Sequence, residues 1–158
     1  MASGYFQAPA YYRPMPDDAP AVFLAGGISG CPPWREHAIE LLGGADVAVL
    51  DPARADFPFD DPDARWEQVC WEQHHLRLPG VITLFWFPDS GAVVQPIALF
   101  ELGQALGEHR DPVVGVDPGY VRADDVRMLC RINAPRLTVH EDMDSLLAEV
   151  LTRVETAR

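Results

Sequence analysis

The chain has 158 residues, 48% of them hydrophobic, and its 24 acidic and 12 basic side chains give a formal net charge of -12 at pH 7. This length and composition indicate one globular domain with a sizeable core and exclude a disordered segment. The negative charge excludes duplex DNA or RNA as a partner, whereas a small phosphorylated ligand stays compatible with it.

Residues 1–20 differ in composition from the rest of the chain, with four prolines and three of the four tyrosines. The absence of a helical or strand period predicts a flexible N-terminal arm, and an arm that lies across a neighbouring subunit is the alternative. The folded domain is then expected to comprise residues 21–158.

From residue 21 onward, short apolar runs alternate with helical patterns. The first run ends in Gly26 and Gly27, which indicates a buried parallel strand followed by a tight turn. The patterns predict strands over 21–25, 47–50, 81–87, 112–116 and 137–139, and helices over 34–42, 62–78, 97–108, 123–131 and 142–154. Five βα units in this order predict an α/β fold, a three-layer α/β/α sandwich with a five-stranded parallel sheet of the flavodoxin or Rossmann-like type.

The cysteines indicate a reducing compartment. Cys31, Cys70 and Cys130 are widely spaced and form no CxxC motif, which is typical of reduced thiols in a cytosolic protein. No apolar run is long enough to span a membrane, and no signal-peptide pattern is present. We therefore expect a soluble cytoplasmic protein without a membrane partner.

The sequence predicts neither a metal nor a cofactor. The five histidines are scattered, and the adjacent His74 and His75 point in different directions on a helix, so they cannot easily bind one metal. The glycine-rich turn over 26–30 matches neither GxGxxG nor a Walker loop, which argues against a dinucleotide or a nucleoside triphosphate. A tight turn without a ligand is an equal alternative.

Ligands of open parallel sheets bind at the carboxyl ends of the strands. Glycines there allow a ligand to approach the backbone, an arginine can bind phosphate, and a tryptophan can stack on a base. The alternative for the arginine is a solvated position on the surface, and the alternative for the tryptophan is packing in the core. The candidate binding residues are Gly26, Gly27, Ile28, Asp51, Arg54, Trp86, Asp89 and Gln95, with Arg122 as a second phosphate candidate.

One acid stands out on the third predicted helix. Glu101 lies in the second turn after Pro96, and Ile97, Ala98 and Ala105 are its small or apolar neighbours on that helix face. A carboxylate near a helix N-terminus, just past the carboxyl end of a strand, is typical of a catalytic group in an α/β enzyme. The alternative is a solvated Glu at the helix border.

Six short segments resemble the nucleoside 2-deoxyribosyltransferase superfamily and occur in the same order. They are VFLAGGI at 22–28, VLDPAR at 49–54, QVCWE at 68–72, LFWFP at 84–88, PIALFELG at 96–103 and VGVDPGYVR at 114–122. The resemblance implies the same open α/β sheet that the periodicity predicts.

The resemblance also implies roles for particular acids. Glu101 would be the nucleophile that attacks C1′ of a nucleoside sugar and forms a glycosyl-enzyme ester, kept ionised by the helix N-terminus. Glu72 takes the place of a second acid, more often Asp, that orients the sugar or protonates the leaving base; a surface charge is its alternative, and Glu67 competes for the role. Asp89 lies twelve residues before Glu101, farther than in many family members, so Gln95 is a second candidate for contacts with sugar hydroxyls.

The expected function is therefore transfer of a (deoxy)ribosyl group from one base to another, with a small nucleoside or nucleotide as the substrate. The alternatives are an N-glycosidase that hydrolyses a nucleoside or its 5′-monophosphate, and a non-catalytic nucleotide-sensing domain. The resemblance implies a homodimer or a higher homo-oligomer. The C-terminal segment shows no clear equivalent of the residues that family members lend to a neighbouring subunit, so transfer and hydrolysis both stay open.

Overall fold

The structure, a computed structural model, describes residues 4–157 as alternating strands and helices. The strands are β1 (Gly4–Gln7), β2 (Ala21–Gly26), β3 (Ala48–Asp51), β4 (Val81–Phe87), β5 (Val113–Val116) and β6 (Val139–His140). The helices are α1 (Trp34–Gly43), α2 (Pro62–His75), α3 (Pro96–Gly107), α4 (Ala123–Asn133) and α5 (Met143–Thr156).

All six strands form one parallel sheet in the order β1-β3-β2-β4-β5-β6. The strands β2 and β4 are nearly continuous apolar runs, as central parallel strands covered on both faces require. The chain passes from β2 to β3 on one side and then crosses back to β4 on the other, which leaves a crevice at the carboxyl ends of these strands. The predicted α/β fold is confirmed, with six strands instead of five.

The additional strand, β1, comes from the segment predicted to be a flexible arm. It pairs in parallel register with β3, where Tyr5 lies opposite Val49, and Ala8 and Tyr12 after it are buried. A four-residue edge strand is held by backbone hydrogen bonds and leaves no side-chain period, so the sequence pattern missed it. The predicted arm is therefore wrong for residues 4–12, and residues 1–3 lie outside the described part of the chain.

Two long-range hydrogen bonds tie the connection between β1 and β2 to helix α2. The backbone N–H of Tyr12 donates to Nε2 of His75 at 3.0 Å, and Nε1 of Trp71 donates to the carbonyl of Ala10 at 2.9 Å. His75 is fully buried, and its Nδ1 donates to the carbonyl of Trp71 at 2.7 Å. Because Nε2 accepts a hydrogen bond, this imidazole is neutral.

Helices cover both faces of the sheet. Phe23 and Ala25 of β2 belong to the core under α2, α3 and α4, whereas Val22 and Leu24 belong to the core under α1 and α5. This alternation is the period-2 arrangement of a strand that is buried on both faces. Within the described residues, no helix has the length and apolar character that a membrane span requires.

The last predicted strand lies later in the chain than expected. Leu137 donates its backbone N–H to the carbonyl of Ala134 in a turn, so β6 is confined to Val139–His140. Helix α5 then begins after Asp142, whose carboxylate accepts the backbone N–H of Ser145 at 2.7 Å as an N-cap.

Candidate active site

A cavity of about 530 Å³ opens at the carboxyl ends of β2 and β3, between α2 and α3. Most of its wall is apolar, and the few polar side chains in it are Ser29, Arg65, Gln68, Glu72, Gln95 and Glu101. Such a cavity at the switch point of a parallel sheet is typical of a small-molecule site. Among residues 4–157, no three His, Cys, Asp or Glu side chains come together as metal ligands would.

Glu101 lies on the cavity wall, in the second turn of α3. The residue is only 6% exposed, and its Oε1 is buried without a hydrogen-bond partner among the described residues. Ala98 and Ala105 are also buried and pack α3 against the sheet, which turns this side of the helix inward. The alternative of a solvated surface Glu is therefore wrong.

Glu72 reaches the same cavity from α2. Its Oε1 accepts a hydrogen bond at 2.8 Å from Nε2 of Gln68, one helical turn earlier, and the same Nε2 donates to the carbonyl of Pro52 at 2.7 Å. Glu67 instead forms an ion pair with Arg54 at 3.0 Å and lies outside the cavity lining. Of the two competing acids, the structure brings Glu72 to the cavity that Glu101 lines.

The surroundings of the two acids favour their protonated forms. The pKa of Glu101 is raised to about 8, first by burial and then by the charge of Glu72, against the opposing charge of Arg35. Burial also raises the pKa of Glu72, against the Gln68 hydrogen bond and the charge of Arg35. Glu101 lies beyond the first turn of α3, where a helix dipole acts most strongly, so burial outweighs the expected help from the helix N-terminus. Two carboxyl groups in one cavity whose surroundings raise their pKa can take the roles of acid and base.

Arg35 of α1 holds the turn that forms one wall of the cavity. It is 8% exposed, and its Nη1 donates to the carbonyl of Gly27 at 2.8 Å. Its Nη2 donates to the carbonyls of Gly26 at 2.9 Å and Leu24 at 3.2 Å. Its Nε lies 3.3 Å from Oδ1 of Asp51, an ion pair whose N–H is not aligned for a hydrogen bond. The buried guanidinium therefore connects the cavity wall to the end of β3.

Gln95 connects the loop after β4 to the turn after β2. It is buried with a left-handed backbone at φ 52°, and its Oε1 accepts the backbone N–H of Gly27 at 3.0 Å. Its Nε2 donates to Oγ of Ser90 at 3.0 Å and to the carbonyl of Pro88 at 3.2 Å. A Cβ at residue 27 would lie 2.4 Å from Oε1 of Gln95, so this close approach requires glycine. Gln95 lines the cavity, but both ends of its amide are bonded within the protein.

The predicted binding residues divide into two groups. Gly26, Gly27, Ile28 and Gln95 line the cavity together with the two acids. Asp51, Arg54, Trp86 and Asp89 lie outside the cavity lining. Residues of the second group can therefore influence a ligand in this cavity only through the residues that line it.

Two members of the second group are buried behind the cavity. Asp51 is 3% exposed, and its Oδ2 accepts the hydroxyl hydrogen bond of Tyr5 at 2.6 Å. Trp86 lies in the core under α1 and α5, where its ring packs against Gly115 and leaves no room for a Cβ there. A base cannot stack on Trp86 in that position, because the sheet separates it from the cavity.

The other two members lie towards the surface. Arg54 pairs with Glu67, and its guanidinium lies 5.4 Å from the ring centre of Phe57, a cavity-lining residue that it supports from outside. Asp89 is exposed and accepts the backbone N–H of Gly91 at 3.1 Å. The carboxylate of Asp89 also occupies the space beside Gly119, so the long loop carries it away from Glu101.

Among the residues that shape the site, Gln68, Arg65, Phe57 and Arg35 were not predicted from the sequence. Gln68 could have been found, because it lies four residues before Glu72 and therefore on the same helix face. Arg65 lies at the cavity wall, with its guanidinium bonded to the carbonyl of Phe59. Phe57 lies in an irregular segment without a period, and Arg35 has the sequence context of a surface arginine on an amphipathic helix. Only the packing reveals these last two.

The chain matches the model of a known protein family. A family model described as "Nucleoside 2-deoxyribosyltransferase like" matches residues 19–120, about two thirds of the chain. These residues include β2 to β5, the turn held by Arg35 and both cavity acids. No curated protein matches the chain.

Proposed function

The chain belongs to the nucleoside 2-deoxyribosyltransferase-like family, and from that membership we propose that it cleaves the base–sugar bond of a (deoxy)nucleoside by way of a glycosyl ester on Glu101. The carboxylate of Glu101 attacks C1′, the bond between C1′ and the base nitrogen breaks, and Glu72 gives its proton to the departing base. A second base then attacks C1′, returns its proton to Glu72 and releases Glu101.

One observation carries this proposal: Oε1 of Glu101 is buried at the wall of a mostly apolar cavity and has no hydrogen-bond partner among residues 4–157. A buried polar atom without a partner costs stability, so its position calls for a functional explanation. Glu72 supports the proposal, because its hydrogen bond from Gln68 fixes the carboxyl group in the same cavity. We propose that Gly26, Gly27 and Ile28 contact the substrate and that Gln95 holds their turn in place.

Chromatography of free base distinguishes the proposed activity from its alternatives. The protein is incubated with deoxynucleosides, ribonucleosides and their 5′-monophosphates, each with and without a second nucleobase. Formation of a new nucleoside indicates transfer, whereas free base and free sugar alone indicate an N-glycosidase. Binding of a nucleoside without release of base from any of them would contradict an enzymatic function and favour a sensing domain.

The pH dependence of the reaction follows from the nucleophile. Glu101 must be ionised to attack, and in the free protein its pKa is raised to about 8. Because Glu101 must be ionised and Glu72 must be protonated, we expect kcat/KM, which reports ionisations of the free enzyme, to fall at acidic pH, where Glu101 keeps its proton, and to fall at alkaline pH, where Glu72 has lost its own. Initial rates of base release across this range measure the profile. A kcat/KM that does not fall at acidic pH would contradict an ionised Glu101 as the nucleophile.

The homo-oligomeric state stays a prediction. Met128, Leu129 and Ile132 of α4 are each more than half exposed and line one groove between α3 and α4, and apolar side chains grouped on one surface favour association. A second copy of the chain is the partner that we propose for this surface, and sedimentation velocity over a range of concentrations measures the association.

A further inference from the structure

A chain of polar contacts runs from the edge strand β1 to the wall of the cavity. The hydroxyl of Tyr5 donates to Oδ2 of Asp51 at 2.6 Å, and Oδ1 of Asp51 lies 3.3 Å from Nε of Arg35. Oδ1 also accepts the backbone N–H of Ala53 at 2.9 Å. Burial and the Asp51 carboxylate hold the pKa of Tyr5 well above its ordinary range, so the hydroxyl stays a donor. Tyr5 is thus half exposed, whereas the carboxylate of Asp51 that its hydroxyl binds is buried.

At the other end of this chain, Arg35 sets the direction of the peptide groups in the cavity wall. A trans peptide points its C=O and N–H groups in opposite directions. Arg35 binds the carbonyl of Gly26, and the N–H of the same peptide group, on Gly27, points away from it towards Oε1 of Gln95 at 3.0 Å. Arg35 and Nε1 of Trp34 both bind the carbonyl of Gly27, so the next N–H points away from them as well.

Arg35 also supplies positive charge to the two acids. Its charge favours the ionised forms of both Glu101 and Glu72. Arg65, the other cation at the cavity, is exposed and bonded to a backbone carbonyl. Asp51 opposes this effect of Arg35, because a carboxylate beside the guanidinium cancels part of its field.

We propose that Tyr5 and Asp51 are positioning residues of the active site, which hold Arg35 where it fixes the Gly26–Gly27 wall and which set how much of its charge acts on Glu101 and Glu72. Tyr5 lies outside the family-matched residues 19–120, so the edge strand adds to the site a contact that the matched residues lack. The effect on the reaction rests on the proposed function, whereas the effect on the charge of Glu101 does not.

The test is a titration of Glu101 that needs no turnover. The side-chain carboxyl groups of glutamate are labelled with ¹³C, and their chemical shifts are followed by NMR as the pH is changed. The Glu101 signal is identified by its absence in Glu101→Gln. The titration is then compared among the wild type, Asp51→Asn and Tyr5→Phe.

We expect the two variants to shift the titration midpoint of Glu101 in opposite directions. Asp51→Asn removes the charge that offsets Arg35, so the midpoint falls, by on the order of one pH unit. Tyr5→Phe keeps the ring that shields Asp51 but removes its donor, so the carboxylate attracts Arg35 more strongly and the midpoint rises by a smaller amount.

Tyr11→Phe is the matched control, because Tyr11 lies in the same N-terminal segment and contacts the rings of His74 and His75 instead. It should leave the midpoint unchanged. Equal midpoints in all proteins, or shifts in the same direction in both variants, would overturn the proposal, and Tyr5→Phe alone decides if Asp51→Asn does not fold. A protein that shows these shifts but releases no base retains the positioning network and loses only the proposed function.

Discussion

Glu101→Gln is expected to lower kcat/KM for base release by about 10³-fold or more, because the amide keeps the shape of the side chain but cannot form the glycosyl ester. Rapid quenching with excess enzyme should also show no covalent adduct by mass spectrometry, whereas the wild type forms one. Glu40→Gln, an exposed Glu of α1, is the control and should retain full activity. If the Glu101→Gln protein keeps more than a tenth of the wild-type rate, Glu101 is not the nucleophile.

The same substitution should make the protein more stable at high pH. The pKa of Glu101 is raised in the folded protein to about 8, so its contribution is fully present at low pH and is lost as pH rises through that value. The neutral amide does not ionise and avoids this loss, a gain of about 1–3 kcal/mol at alkaline pH. Urea denaturation of both proteins at acidic and alkaline pH measures the difference. Equal stabilities of the two proteins at alkaline pH would contradict a raised pKa of Glu101 in the folded protein.

Arg35→Met is expected to lower the free energy of unfolding by about 3–5 kcal/mol, because it leaves the buried carboxylate of Asp51 without its cation. Asp51 is only 3% exposed, so water cannot replace the guanidinium. Three backbone carbonyls, those of Leu24, Gly26 and Gly27, lose their hydrogen bonds from Arg35 as well, and only that of Gly27 keeps a second side-chain donor, Nε1 of Trp34. Methionine fills a similar volume, so the loss reports charge and hydrogen bonding instead of a cavity.

Urea denaturation measures this change, and two further variants interpret it. Arg35→Lys keeps the charge but loses the planar fork that reaches three carbonyls, so its stability should lie between those of the wild type and Arg35→Met. Arg136→Met, at an exposed arginine, should change stability by less than about 0.5 kcal/mol. If Arg35→Met proved as stable as the Arg136 variant, Arg35 would not be the partner that Asp51 requires.

Sequence periodicity was sufficient for the layers of the fold and for the position of Glu101. The buried strands β2 and β4 are long apolar runs, and the helix after β4 begins at a proline, so strand, loop and helix could each be located. The strand and helix predictions use only local regularity, which the tertiary structure preserves here. The family resemblance selected Glu72, and the five residues that separate it from Glu67 indicated only that the two side chains point to different sides of the helix.

The remaining errors come from contacts between segments far apart in the sequence. Arg35 resembles a surface arginine until Asp51 and the Gly26–Gly27 carbonyls are folded around it. Trp86 lies within β4 and faces the core under α1 and α5, opposite to Phe85 and Phe87, whereas Asp89 lies in the loop after β4 and is held beside Gly119. The sequence pattern shows that the side chains of a strand alternate, but it does not determine which face of the sheet carries the cavity or where the following loop runs.

The neutral imidazole of His75 makes the attachment of the N-terminal connection sensitive to acid. Burial lowers the pKa of His75, so protons bind the unfolded chain more readily, and stability is lost as pH falls below the ordinary His value of about 6.5. A proton on Nε2 would displace the backbone N–H of Tyr12, whereas the Nδ1 bond to Trp71 could persist. Hydrogen exchange at the Tyr12 amide should therefore accelerate in mild acid, relative to the intrinsic rate, before the amides of β2 and β4 do. The edge of the sheet would then open as a separate unit, while the amides of the central strands, beside the cavity, stay protected from exchange.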